Sequence, residues 1–198
     1  MRKFLRICLL FILIAAAYSA CQRASEENSV DTDLVAFEAD SVQQLYTAKR
    51  DSVDWAWQQY AREEEEKLSD LKRLLQEISY TEAYDQARYD SLFAQVQALE
   101  QAMLTPEAMS SSQIDRYDAE INQLKAAVTD FAAQHPDFER YPLMSQLVDS
   151  VNLRDQRILF HRVTYDNYAR DYNSFILPAR QYPVEVDTTL RPLFQLED

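Results

Sequence analysis

Residues 114–131 read IDRYDAEINQLKAAVTDF, and within them Ile114, Tyr117, Ile121, Leu124, Val128 and Phe131 recur at alternating steps of three and four without a miss. An α-helix turns once every ~3.6 residues, so this spacing collects all six apolar side chains on one stripe. A strand would require a period of two. The stretch therefore predicts a helix packed along its full length. His135-Pro136 predicts its end, because proline has no amide hydrogen to continue the ladder.

The same pattern extends outward in both directions. Toward the N-terminus, the Ser110-Ser111-Ser112 loop and Thr105-Pro106 separate this helix from another that carries Leu92, Val96, Leu99 and Met103 on one stripe. Ser79 and Glu82 have the spacing of a capping box and predict a break before that helix. The first helix is expected to open at Ser41, which has the same capping spacing with Gln44, or as far back as Leu34, and to run to about Ile78. Its apolar face reads Val53, Trp57 and Tyr60 and then, after a slip of phase, Leu68, Leu71, Leu75 and Ile78. On the C-terminal side a fourth helix carries Leu147, Val151, Ile158, Arg162, Tyr165, Ala169, Tyr172 and Ile176, up to Pro178. Four amphipathic helices with short links predict an all-α fold, an antiparallel up-and-down four-helix bundle over residues 41–182. The tail over 183–198 is broken by proline, offers Val184, Val186, Leu190, Leu193 and Phe194, and is expected to lie extended along the bundle.

Composition restricts the chemistry. The chain has no glycine, against an ordinary share of roughly 7 per cent. Phosphate-binding loops, dinucleotide fingerprints and nucleophile elbows all need backbone that a Cβ obstructs, so those enzyme classes are set aside. The two cysteines are Cys8 and Cys21, which leaves no pair to bridge within the bundle and no thiolate cluster for zinc.

The N-terminus reads as a lipoprotein signal peptide over 1–20. Arg2, Lys3 and Arg6 form a positive start, Ile7 to Ala17 is an apolar stretch short for a bilayer span, and Ser19-Ala20 are small. Tyr18-Ser19-Ala20-Cys21 resembles a lipobox, with Tyr18 where an aliphatic residue is usual, so Cys21 is the expected lipidation site. Residues 21–40, rich in Ser and Glu, are the expected tether. Acyl chains at ~0.8 kcal/mol per buried methylene hold such a protein on a membrane without help from its surface. Gln22 after the cysteine resembles outer-membrane sorting, which places the chain as an outer membrane lipoprotein of a bacterial cell envelope. Of 20 Lys and Arg and 33 Asp and Glu, removal of Arg2, Lys3 and Arg6 leaves 17 against 33, a mature net charge of −16. That charge repels phosphate backbones and argues against nucleic acid.

From Tyr46 to Phe194 the chain resembles the LemA family of membrane-attached helical envelope proteins. Arg50-Asp51-x-Val53-x-x-Ala56-Trp57 stands near the start and His135-Pro136-Asp137-Phe138 closes the third helix. The fullest match is Arg162-x-x-Tyr165-Asp166-x-x-Ala169-x-x-Tyr172-Asn173-x-x-Ile176. The family's basic element after the Ala-Trp is replaced here by Glu63-Glu64-Glu65-Glu66. The resemblance implies an antiparallel four-helix fold and no established enzymatic activity.

Candidate sites are few. Neither His135 nor His161 has a Glu three residues before it, so a di-metal bundle is not expected; no metal and no cofactor is assigned. His161 reads as a surface or boundary side chain. The glutamate run reads as a solvated face, since a helix spreads consecutive residues around its circumference. Tyr165 and Tyr172 share the core stripe, with hydroxyls expected to reach water or a partner. Trp55, two residues from Trp57 and so turned about 200° from it, is with Tyr168 the candidate interaction surface. Glu64 falls midway between Tyr60 and Leu68, and Arg162 between Ile158 and Tyr165, so the two are expected to meet in a buried polar layer if the first and last helices are neighbours.

These features predict a membrane-anchored, non-enzymatic interaction or scaffold protein that binds the membrane through its N-terminal lipid and another protein through its surface. The alternatives are a periplasmic or surface hydrolase working with two carboxylates, and a cation-binding envelope lipoprotein.

Overall fold

The computed structural model describes the backbone of residues 2–182 and 186–194 and the side chains of 39–182 and 186–194. The leader over 1–20, Cys21 and the tether up to residue 38 lie outside the described side chains. Four helices follow one another: α1 (Arg2–Ser79), α2 (Gln86–Gln101), α3 (Ser111–Ala133) and α4 (Pro142–Ala179). Short 3₁₀ turns at Pro106–Ala108 and Phe138–Arg140 occupy two of the links. The described residues contain no strand, and the architecture is an all-α helical bundle.

Three expected boundaries move. α1 continues through Ser41, since no glycine or proline precedes that residue to interrupt it. Ser79 caps nothing ahead of it: its hydroxyl donates back to the Gln76 carbonyl at 2.7 Å. α2 opens at Asp85, whose carboxylate accepts the Arg88 amide at 3.0 Å. It closes at Gln101, so Met103 lies beyond the helix, although it still packs on the core. α3 is capped by Ser110, which accepts from the Gln113 amide, and α4 starts on Pro142 at a position where a missing amide hydrogen is harmless.

Two apolar clusters show which way each helix runs. The first gathers Leu68, Leu71 and Leu75 of α1, Val96 of α2, Val128 of α3 and Val151 of α4, with their neighbours. The second gathers Val53 and Tyr60 of α1, Ile114 of α3, Tyr165 and Tyr172 of α4, and Phe194 of the tail. α1 and α3 run from the second cluster to the first, and α2 and α4 run back, which gives up-down-up-down connectivity. α2 is too short to serve the second cluster, which is completed by Met109 and by the tail. Burial of each large side chain in these clusters contributes about 1.5–3 kcal/mol.

Candidate functional site

Charged side chains from three helices meet where the two clusters adjoin. Glu64 on α1 is 1% exposed. Its Oε2 accepts from the Tyr117 hydroxyl at 3.3 Å and lies 2.9 Å from Lys67 Nζ. Lys67 also stands 3.4 Å from Asp155 of α4, and Lys125 of α3 pairs with the other oxygen of Asp155. Arg162 of α4 grips Asp118 of α3 with two parallel bonds of 2.7 Å and places Nη2 3.6 Å from Glu64 Oε1. Burial alone lowers the pKa of the Arg162 guanidinium, but the Asp118 hydrogen bonds and the surrounding negative charge outweigh it, so the pKa is raised. Burial followed by the Glu64 charge raises both Tyr60 and Tyr117, which keeps their hydroxyls protonated.

Three carboxylates and two of these cations thus face a cavity of about 210 Å³ lined by Glu64, Lys67, Asp118, Asp155, Ile158 and Arg162, among others. Glu64 Oε1 receives no hydrogen bond. Glu64, Asp118 and Asp155 each lie within 3.4 Å of a cation, so each carboxylate is neutralised locally. The arrangement holds charge in place and fixes the relative height of α1, α3 and α4. Sequence placed Glu64 and Arg162 on apolar stripes. It missed Asp118, Lys67, Asp155 and Lys125, which stand at the edges of their stripes. Among the described residues no group of three His, Cys, Asp or Glu side chains is arranged to hold a metal ion.

The glutamate run is not a solvated face throughout. Arg154 of α4 pairs with Glu63 at 2.8 Å and also with Glu66, while Asp70 lies 3.6 Å away. The reason is that α1 and α4 lie side by side over this length, so positions flanking the core stripe face the neighbouring helix. His135 is a structural residue. Its Nδ1 accepts the Asp137 amide at 3.1 Å, which leaves the proton on Nε2, beside Thr81 Oγ1 at 2.9 Å and the Ala83 carbonyl at 3.0 Å.

The outer surface carries a second constellation. Trp55 stands two residues past core Val53, Leu153 two past Val151 and Phe160 two past Ile158, so each is turned about 200° from the core. Trp55 is 50% exposed and Phe160 66%, with Leu159 and Val163 exposed beside Phe160. Trp55 meets Tyr168 edge to face across α1 and α4 at 6.3 Å between ring centroids.

The tail forms the third feature. Residues 186–194 run antiparallel to α4, with the Thr188 carbonyl held by Arg180 at 3.0 Å and the Phe194 amide held by Asp166 at 2.8 Å. Fourteen helical residues rise about 21 Å and six extended ones reach about 20 Å, so the two lengths match. The Tyr172 hydroxyl donates to the Asp187 carbonyl at 2.9 Å, and the Asp187 amide donates to the Tyr46 hydroxyl at 3.2 Å. Asn173 holds both backbone groups of Arg191, at 2.7 and 2.8 Å. Both stripe tyrosines are fully buried. Only the Tyr172 hydroxyl finds a partner; that of Tyr165 is enclosed without one and does not reach water, because the tail covers it.

No protein-family model, no curated protein and no solved structure matches this chain.

Proposed function

We propose that this chain is a LemA-like envelope lipoprotein, held on the bacterial outer membrane through lipid on Cys21, whose helical bundle is a non-enzymatic interaction module. The observation that carries the reading is the outward apolar face: Trp55 packed on Tyr168, and the Leu153–Phe160 stripe of α4, all exposed. Isolated apolar side chains on a surface need no explanation, but the Trp55–Tyr168 pair and, further along α4, Leu153, Leu159, Phe160 and Val163 concentrate exposed apolar side chains on the outward sides of two adjacent helices, as protein partners require. Aromatic anchors of this type dominate protein interfaces. The ion-paired cavity suits a register device, and the α4 motif from Arg162 to Ile176 supports the LemA kinship.

A photocrosslinking residue introduced at Trp55 or at Phe160 and activated in native membranes is expected to trap the same partner from both positions. A probe at exposed Glu120 on α3 is expected to trap none, and Phe160→Glu is expected to abolish capture from Trp55. Equal capture from all three positions, or none from any, overturns the reading. In the same cells Cys21→Ala is expected to end palmitate labelling.

A further inference from the structure

Tyr46, Asp54, Trp57 and Tyr60 of α1 and Asp166, Tyr172 and Asn173 of α4 treat residues 187–194 as a binding site treats a peptide. Bundle side chains bond the backbone at residues 187, 191 and 194. Amide and carbonyl groups are common to every sequence, so these clamps read an extended chain whatever its side chains. Two side chains are read as well. Phe194 stacks on Trp57 at 5.8 Å, lies 4.7 Å from Tyr60 and sits beneath the Arg162 guanidinium at 4.8 Å. Arg191 reaches Asp54 at 3.3 Å and covers the Tyr172 ring at 5.6 Å. Pro192 falls between clamped positions, where no amide donor is called upon.

We propose that the α1–α4 groove is a peptide-recognition site, occupied in cis by residues 187–194, for an extended segment of another protein that carries a basic residue and, three positions later, an aromatic one. The choice of a basic segment follows from Asp54 in the groove and from the net charge of −13 on the chain. Extended segments are commonly bound with backbone hydrogen bonds supplying affinity and side-chain pockets supplying specificity. The cis segment is joined to α4 by a few residues and competes at an effective concentration in the millimolar range. The site is thus closed to weak ligands until the tail is displaced.

The test uses the full-length chain and the labelled peptide VDTTLRPLF, the sequence of residues 186–194. Phe194→Ala loosens the tail. This variant is expected to bind the peptide, read by fluorescence anisotropy, at least about tenfold more tightly than the wild-type chain, in which the tethered segment competes. Replacing Arg by Glu or Phe by Ala within the peptide, or adding Asn173→Ala to the protein, is expected to remove that binding. A folded Phe194→Ala chain that ignores the peptide, or binds all peptides alike, overturns the proposal. Should that variant fail to fold, the wild-type chain is challenged with millimolar peptide carrying benzophenone in place of its Phe. Crosslinks to Trp57 or Tyr60 support the site, and their absence overturns it. A wild-type dimer on sedimentation that disappears in Phe194→Ala would assign the groove to a second copy and overturn the choice of a foreign segment.

Discussion

Arg162 shows how one side chain can serve two purposes. Its guanidinium neutralises carboxylates from two other helices, and its flat face covers the rings of Tyr60 and Phe194. Arg162→Met keeps most of the volume and removes the charge, which leaves Asp118 without its cation and Glu64 with Lys67 alone. The expected loss is on the order of 1–3 kcal/mol, below the full cost of a stranded buried charge, because Asp118 is a third exposed and Glu64 keeps Lys67. The geometry also ranks the partners. Asp118 receives two bonds of 2.7 Å, whereas Glu64 Oε1 stands at 3.6 Å. A double-mutant cycle of Asp118→Asn with Arg162→Met is expected to give coupling on the order of 1–3 kcal/mol, and the cycle with Glu64→Gln a smaller value. Additivity in both cycles, measured by urea denaturation, would show that the layer is not coupled. Sequence periodicity finds Glu64 and Arg162 because each interrupts an apolar stripe. It has no means of finding Asp118, which is a third exposed and sits where a polar residue raises no question.

At the scale of the elements, the apolar stripes were legible and the caps were not. The stripes repeat over many turns, so chance does not imitate them, and they gave four helices in the order observed. A capping box is only two residues at a fixed spacing, and Ser79 with Glu82 and Ser41 with Gln44 both have it inside or just beyond an unbroken helix. The working cap is Asp85, and Asp85→Ala is expected to lower stability by about 1 kcal/mol, with the loss read as earlier exchange of the α2 amides. Unchanged exchange in α2 would show that the Arg88 amide needs no side-chain acceptor. Asp166 and Asn173 pose the opposite case. Both were plain in the α4 motif, yet their roles depend on backbone lying 28 and 18 residues further on. No local spacing records a partner at that distance.

For the whole molecule, the buried tyrosines tie stability to alkaline pH. Burial lifts Tyr165 and Tyr172 from 10.0 to about 12, and Tyr60 and Tyr117 are raised as well. A group whose folded pKa lies above its unfolded value contributes its full stabilisation below the unfolded value, so this contribution holds below about pH 10 and is lost as pH climbs through the folded values. The melting temperature is expected to fall steeply above pH 10, and tyrosinate absorbance is expected to rise in two stages, the second coinciding with unfolding. Titration of all the tyrosines together near pH 10 in the folded chain would contradict this. The second cluster also has a temporal property. It joins Tyr46 of α1 to the tail across a separation of 141 residues, and it closes on Phe194. Synthesis proceeds from the N-terminus, so the first cluster has all its members while Trp57, Tyr60 and Tyr165 still wait for their cover. A transcript cut short before codon 194 therefore yields a chain with one finished core and one open aromatic trough, a lesion that proteases and chaperones can recognise by touch.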